Sequence, residues 1–376
     1  MRVGIPKELK NNENRIAIVP AGVHELVAAG HEVFIEKGGG LGSGISDAEF
    51  KDAGAKLLPA AKDVWAKAEL VLKVKEPLAE EYPLIRPDHA IFTYFHFAAS
   101  RELTEAMIAT GATCIAYETL ATADGKLPLL TPMSEVAGRM AIQEGAKYLE
   151  KPMMGRGILL GGVPGVEAGN VVILGGGVVG ANAAKVAAGL GANVFILDVN
   201  LDRLRYLADI MPANVHTLMS NIVNIREMVK LADLLIGAVL LPGGRAPVLV
   251  PRGYLKTMKP GAVIVDVAVD QGGCVETCRP TTHSDPTFVI DGVVHYCVAN
   301  MPGAVGRTST YALTNATQPW AVLIAGLGAK EAIRRRREVA LGANIVGGKV
   351  THQAVAQTFK LAYTPVEQAL GKAPAK

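Results

Sequence analysis

At 376 residues the chain exceeds the roughly 250 to 300 residues at which a single core stops growing, so two domains are expected. Half of its residues are hydrophobic, 19% are charged and the net charge is +3, which describes a well-buried globular protein and argues against nucleic acid as a partner. No stretch reaches the roughly 20 apolar residues of a membrane span, and the start MRVGIPKELK lacks the apolar core of a signal peptide.

The four cysteines, Cys114, Cys274, Cys278 and Cys297, do not have the paired spacing of a zinc site, and a chain this long has no need of disulfide staples. A cytoplasmic protein with reduced thiols and no metal is expected. Cys274 and Cys278 lie near Asp270 in sequence, where a modification could inhibit.

In chain order the residues read as a strand RVGI, a helix after Pro20 that stops at Gly30, and a strand HEVFIEKG. A helix over residues 46–53, a strand KLLP and a helix over residues 60–68 come next, then the strands LVLKVK and AIFTYFH. A helix opened by Ser100 and closed by Gly111 leads to the strand TCIAYET. This alternation predicts a parallel sheet wrapped by helices. A helix over residues 134–150, capped by Ser134 with Glu135 in its first turn, opens a second unit. Beyond the glycine-rich loop KPMMGRGILLGGVPGVEAG, further strands read as VVIL, NVFIL, LLIGAVL, AVIVDVAVD and VVHYCV.

From about Met301 on the chain reads as mostly helical and too short for a domain of its own, so it is expected to pack back on the first unit. The fold class is therefore α/β, with two Rossmann-like doubly wound domains, a cleft between them and the first domain discontinuous. The expected boundaries are residues 1–130 plus 305–376 for a substrate domain and 131–304 for a nucleotide domain. The basic run at residues 334–337 reads as a solvated helix face or a subunit contact, and GKAPAK as a frayed tail.

The most specific local pattern covers residues 171–198. The strand VVIL runs into the turn GGGVVG, a helix, and a second strand that ends on Asp198. Gly175 permits the tight turn, Gly177 lets the backbone approach a pyrophosphate, and Gly180 lets the helix lie close on the sheet. The helix start at Val178 and Val179 offers N–H groups and a partial positive charge to phosphate. Asp198 is placed to accept hydrogen bonds from ribose hydroxyls and would repel a 2′-phosphate, so NAD is favoured over NADP. Nearby Arg203 could soften that preference. An ordinary glycine turn is the competing reading, and the agreement of strand, helix, second strand and terminal acid weighs against it.

Ligands in open α/β sheets bind outside the carboxyl ends of the strands, which singles out Lys75 at the end of LVLKVK and His96 at the end of AIFTYFH. Singly, the lysine also reads as a solvated strand end and the histidine as a satisfied core residue. Together, in a domain that serves a nicotinamide cofactor, they suit an amine or alcohol oxidation coupled to hydride transfer. A histidine, with a reference pKa of about 6.5, trades protons near neutrality, and an ammonium pairs with a carboxylate or polarises a keto oxygen. Arg15, in NNENRIAIVP, adds a planar fork that matches a carboxylate with two parallel hydrogen bonds; its other reading is a surface cap on the next helix. Asp270 ends AVIVDVAVD and reads either as a group that takes protons or stabilises positive charge, or as a loop cap. Asp266, inside the same strand, is expected to reach a loop backbone.

The segments RVGIPKE, NENRIAIVP, VLKVKEP, TYFHFA, TPMSEVAGRMA, LGGGVVG, VDVAVDQGG and VANMPGAV resemble those of the alanine dehydrogenase family over essentially the whole chain. Several are shared with the NAD-binding subunit of proton-translocating transhydrogenase. The resemblance implies reversible oxidative deamination of L-alanine with NAD to pyruvate and ammonium. It further implies that Arg15 and Lys75 hold the substrate carboxylate and keto oxygen, that His96 is the acid/base, and that Asp270 assists at the carbinolamine and imine steps. Tyr94 and Met133 would line the substrate pocket. Ser134, Val178, Val179, Asp198, Arg203, Ser220, Val239, Leu240, Asn300 and Met301 would contact NAD. A homohexamer is also implied, as is closure of the two domains around the substrate. The alternatives are a non-catalytic transhydrogenase-type subunit and a saccharopine-type amino-acid dehydrogenase with a bulkier substrate; the TPMSE and VANMPG segments favour alanine.

Overall fold

Short aliphatic and β-branched runs form fifteen strands in the described residues of the computed structural model, which are 1–239, 246–269 and 272–371. In chain order these are β1 (Arg2–Ile5), β2 (Glu32–Glu36), β3 (Lys56–Leu58), β4 (Leu70–Leu72), β5 (Ala90–Thr93) and β6 (Thr113–Ala116), then β7 (Asn170–Leu174), β8 (Asn193–Asp198), β9 (Val215–Met219), β10 (Leu234–Gly237), β11 (Val263–Asp266), β12 (Thr287–Ile290) and β13 (Val293–Tyr296), and finally β14 (Ala343–Val346) and β15 (Lys349–Val350). They fall into two compact units. One comprises Met1–Met133 with the residues from Gly303 on; the other is Ser134–Pro302.

In the first unit the strand order is β15-β14-β6-β5-β4-β1-β2-β3. Strands β1 to β6 pair in parallel, joined by helices that carry their own start and stop signals. Ser46 and Glu49 form a reciprocal capping box on the helix Asp47–Asp52, and Ser100 caps the helix Arg101–Thr110, which Gly111 ends in the left-handed conformation. These are the local bonds expected at helix ends. The winding reverses between β1 and β4, which leaves the loops after those two strands side by side at the carboxyl edge. Beneath that edge lies a core that includes Trp65, Ile91, Phe95, Phe97, Met107 and Ile345.

The carboxyl-terminal segment is not only helical. Its β14 pairs antiparallel with β6 and its β15 with β14, so it extends the first sheet by two strands. ANIV runs into the two-residue turn Gly347-Gly348, both at positive φ, which folds it onto β15 as a tight hairpin, and the free edge of β6 takes that hairpin into the sheet. The basic run is tied down within the chain. Arg334 and Arg335 pair with Glu331, and Arg336, between two short helices, pairs with Glu338 and lies over the Trp320 ring.

The second unit repeats the winding with the order β12-β13-β11-β10-β7-β8-β9. All pairs are parallel except the edge pair β12·β13. That edge is a hairpin turned by Asp291 and Gly292, both at positive φ, which is the strongest short-range hairpin signal. The sequence reading passed over it, and over the edge strand β9. The helix assigned to residues 134–150 begins earlier, at Thr131, whose N–H and hydroxyl both donate to the Leu127 carbonyl. Ser134 therefore lies in its first turns and is not its cap; Pro132 suits the start of a helix because its fixed φ is helical and no N–H is needed there. Among the described residues no helix is long and apolar enough to cross a membrane.

Candidate functional site

Two sets of side chains stand at carboxyl edges, one in each unit. In the first, LVLKVK and AIFTYFH leave their ladders earlier than expected, at Leu72 and Thr93. Lys75 and His96 consequently stand on loops beyond β4 and β5, not at strand ends.

Arg15, on the long loop after β1, is buried at 3% exposure. It is not a surface cap, and no side chain caps the helix Pro20–Ala28. Its Nε and Nη2 donate to the two oxygens of Glu13 at 2.6 and 2.5 Å, while its Nη1 lies 3.0 Å from Met133 Sδ. One edge of the fork is therefore engaged by Glu13, and the Nη1 side faces Met133. Lys75 is half-buried; burial, and then the positive charge of Arg15, holds its ammonium below its ordinary pKa. Its N–H donates to Glu8 Oε1 at 3.4 Å and its carbonyl accepts from Thr93 Oγ1 at 3.0 Å.

His96 adopts the left-handed conformation, φ 51° and ψ 40°. Its ring stacks on Tyr94 with centroids 5.7 Å apart and planes 11° apart. Tyr94 is buried and donates its hydroxyl to the Leu129 carbonyl at 2.5 Å. Burial pushes that phenol well above its usual range, so it remains a neutral donor. The Glu118 carboxylate accepts the N–H of His96 at 2.5 Å and that of Phe95 at 3.3 Å.

Behind Lys75 lies a charge cluster. Lys73, 1% exposed, places Nζ 3.3 Å from Glu8 and 3.1 Å from Glu81. Burial opposes its charge, but the two carboxylates outweigh that and raise its pKa. Burial also raises Glu8, whose Oε1 accepts the Val74 N–H at 2.6 Å. Glu8, Glu13 and Glu118 escaped the sequence reading. Only Glu13 had a local signal, its place two residues before an arginine.

In the second unit the turn after β7 behaves as its glycines require. Gly175 has φ +102°, and a Cβ on Gly180 would stand 1.9 Å from the Gly175 carbonyl oxygen. A Cβ on Gly177 would meet nothing within 4 Å, so the backbone there opens on free space. The helix Val178–Gly189 that follows has no side-chain cap. Its first N–H groups, Val178 and Val179 included, are left for an external acceptor. Asp198 Oδ2 accepts the Gly176 N–H at 2.7 Å, and Arg203 Nε donates to the Gly176 carbonyl at 2.5 Å. Together they clamp one peptide of the turn from both sides, so Arg203 serves the turn itself.

The Ser220 N–H donates to the Asp198 carbonyl at 2.9 Å, which brings the ends of β8 and β9 together with the turn. Val239 is half-buried just past β10, and Ser134 is half-buried in its helix. Beyond β13, Asn300 has positive φ, with its carbonyl 3.3 Å from His283 Nε2, and Met301 is buried. Val199 and Ile222, exposed apolar residues beyond β8 and β9, were missed; the place of Val199 after the strand NVFIL would have found it, whereas Ile222 follows a strand that was not read. Asp270 and Leu240 lie outside the described residues.

Asp266, ending β11 at 1% exposure, does reach a loop backbone. It accepts the N–H groups of Ala268 at 3.0 Å, Cys274 at 2.9 Å and Val275 at 3.2 Å. Burial outweighs these bonds and pushes its carboxyl up to about 6, against about 3.9 in an unfolded chain. The native state therefore binds this proton more tightly, and the group's contribution is present below about 4 and lost as pH rises through about 6. Its size is about 3 kcal/mol. Denaturation midpoints across that window should fall less steeply with pH in Asp266→Asn than in the parent; equal slopes would refute the assignment. Cys114, Cys274 and Cys297 are buried and Cys278 half-buried, and burial raises Cys114 and Cys274 far above the ordinary thiol range.

Family models match both parts of the chain: "Alanine dehydrogenase/PNT, N-terminal domain" over residues 4–137 and "Alanine dehydrogenase/PNT, C-terminal domain" over residues 141–353. The chain belongs to the alanine dehydrogenase/PNT family. Within that family it is 58% identical over 373 residues to the alanine dehydrogenase of Methanococcus maripaludis, an alignment covering 99% of this chain and 100% of the relative. It is similar to a solved L-alanine dehydrogenase at 54% identity and a TM-score of 0.93, covering 96% of this chain and 99% of the other. A transhydrogenase from Sinorhizobium meliloti is more distant, at 27% identity and a TM-score of 0.80, covering 94% of this chain and 100% of the other. Family membership thus accounts for the motifs that run from the first strand to the carboxyl-terminal helices.

Proposed function

We propose that this chain is an NAD-dependent amino-acid dehydrogenase that converts L-alanine, water and NAD to pyruvate, ammonium and NADH, and runs the reaction in reverse. The observation that carries this reading is the convergence of Arg15, Lys75 and His96 on the loops after β1, β4 and β5, three parallel neighbours in one sheet, in a chain 58% identical to an alanine dehydrogenase. The greater distance of the transhydrogenase, at 27% identity, favours it over a non-catalytic subunit.

The second unit fits a dinucleotide. The uncapped helix start and the open face of Gly177 suit a pyrophosphate. Asp198 suits ribose hydroxyls, and Val199 and Ile222 offer apolar surface to a base. Ser134, Ser220, Val239, Leu240, Asn300 and Met301 complete the set by resemblance. When bound, NAD supplies the hydride acceptor.

The chain's own residues do the rest. Arg15 and Lys75 bind the substrate carboxylate and, in the reverse direction, the keto oxygen. Glu13 neutralises the arginine and fixes its plane, so that substrate meets a fork already oriented. Burial and the charge of Arg15 depress the pKa of Lys75, and a substrate carboxylate beside it would offset both. Tyr94 and Met133 bound the space beside Arg15. His96 deprotonates the water that attacks the imine carbon, then returns the proton so that ammonia departs. Asp270 is assigned to stabilise positive charge on the substrate nitrogen. A cytoplasmic homohexamer is the accompanying reading, checked by light scattering of the purified protein.

The test is NADH formation by purified protein with NAD and a panel of L-amino acids, together with NADH consumption with 2-oxo acids plus ammonium. L-alanine and pyruvate are expected to lead. No turnover of either sinks the assignment, and a preference for 2-oxoglutarate with lysine would point to a saccharopine-type enzyme. Asp198→Ala removes charged hydrogen bonds worth about 1.5–3 kcal/mol. It should weaken NAD about tenfold or more and raise the NADP/NAD ratio of catalytic efficiencies. Because Asp198 also holds the Gly176 N–H, both cofactors should suffer; an unmoved ratio would show that it does not read the ribose.

A further inference from the structure

Once β5 ends at Thr93, the chain must carry a histidine through a backbone conformation that L-residues disfavour. His96 has φ 51°, which costs roughly 1–2 kcal/mol for a residue with a side chain. Such a conformation persists only where its surroundings over-determine it. Phe95 and Phe97 flank His96, stacked on each other with centroids 4.5 Å apart and both buried in the core. They turn the intervening residue away from the core, toward Tyr94. Packing does not satisfy the backbone, however. The Tyr94 N–H still reaches the Val74 carbonyl at 3.3 Å, whereas the N–H groups of Phe95 and His96 turn to a side chain. That side chain is Glu118, in the short turn Tyr117–Thr119 directly after β6, the neighbouring strand.

We propose that Glu118 is the positioning residue for the acid/base His96, an inference that rests on the reaction assigned above. Its carboxylate gathers two consecutive N–H groups, 2.5 Å to His96 and 3.3 Å to Phe95. Charge-assisted bonds of this kind are about twice as strong as neutral ones, enough to offset the left-handed backbone. Without them the segment relaxes to a right-handed or extended conformation, and the imidazole leaves its stack on Tyr94. Glu118 exchanges no proton with substrate; it acts through the histidine it holds.

The test is a double-mutant cycle between His96→Ala and Glu118→Ala, with Glu118→Gln as the conservative variant. In the parent background Glu118→Ala should lower kcat for L-alanine by about 10- to 100-fold, a fraction of the about 10²- to 10⁴-fold that acid–base catalysis contributes. The KM should hardly move, because Arg15 and Lys75 are untouched. In the His96→Ala background the same change should have no further effect. Glu118→Gln, which keeps a carbonyl oxygen for the His96 N–H, should recover most of the loss. An equal loss in both backgrounds, or none in the parent, overturns the proposal. Should Glu118→Ala fail to fold, Glu118→Asp, whose carboxylate is one methylene short of both N–H groups, takes its place in the cycle. A crystal structure of the variant provides a readout independent of activity: His96 still at positive φ also overturns it. Failure of the parent to oxidise L-alanine would instead refute the reaction, leaving the conformational readout intact.

Discussion

His96→Ala is expected to lower L-alanine turnover by about 10²- to 10⁴-fold, the range that a positioned acid/base contributes, while NAD affinity stays within about twofold of the parent. The two effects separate because the dinucleotide determinants, the turn after β7 with Asp198 and Arg203, belong to the second compact unit, whereas His96 belongs to the first. The ring is exposed, with its one face on Tyr94, so truncation leaves no cavity and stability should be unchanged. Steady-state turnover of L-alanine together with equilibrium NAD titration decides it. Asp270→Asn is the companion variant; near-parental turnover in both would remove the catalytic assignment.

Lys73→Met should cost about 3–5 kcal/mol of stability, the usual penalty for removing one partner of a buried ion cluster. Methionine fills much the same volume, so the loss is electrostatic and not a packing defect. Glu8 and Glu81 would be left facing each other without their ammonium in a setting where the parent lysine is 1% exposed. The sign of the pH dependence follows from Glu8, already raised by burial in the parent. In the variant it rises further, so folded Glu8 binds its proton more tightly than unfolded Glu8. The variant is therefore closest to the parent below the unfolded carboxylate range and loses ground as pH rises through the raised folded value. Denaturant titrations at acidic and neutral pH measure this directly, and a loss below about 1 kcal/mol at neutral pH would show that the cluster contributes nothing. Because Glu8 also accepts the N–H groups of Val74 and Lys75, surviving protein should bind substrate less well.

Parts of this molecule whose geometry depends on neighbours in sequence were legible without coordinates. Ser46 with Glu49, Ser100 and Gly111 mark helix ends because the bonds they make close within a few residues. The turn GGGVVG is another case: the positive φ of Gly175 and the close approach at Gly180 are backbone demands that only glycine meets cheaply. Elements whose place or extent depends on a distant partner were read less well. ANIV joined the first sheet because β6 had an open edge, and LVLKVK stopped at Leu72 where its ladder to β1 ran out at Val71. The Asp291-Gly292 and Gly347-Gly348 hairpins were legible and were overlooked.

The same division runs through the candidate site. Arg15, Lys75, His96 and Asp198 could be named from residue type and place after strands, because parallel winding delivers strand ends to one edge whatever the details. The sequence by itself determined the α/β winding, the dinucleotide turn and, through motifs spread over the whole chain, the family. Only the tertiary structure decided that Glu13 occupies one edge of the Arg15 fork, that Lys73 is buried between two glutamates while its neighbour Lys75 stays half-exposed, and that Glu118 holds His96 in a left-handed turn. Each of those depends on which carboxylate reaches which N–H or cation, often across tens of residues. Local propensity carries no information about such pairings; they are settled when burial removes water and every polar group left inside must find a partner.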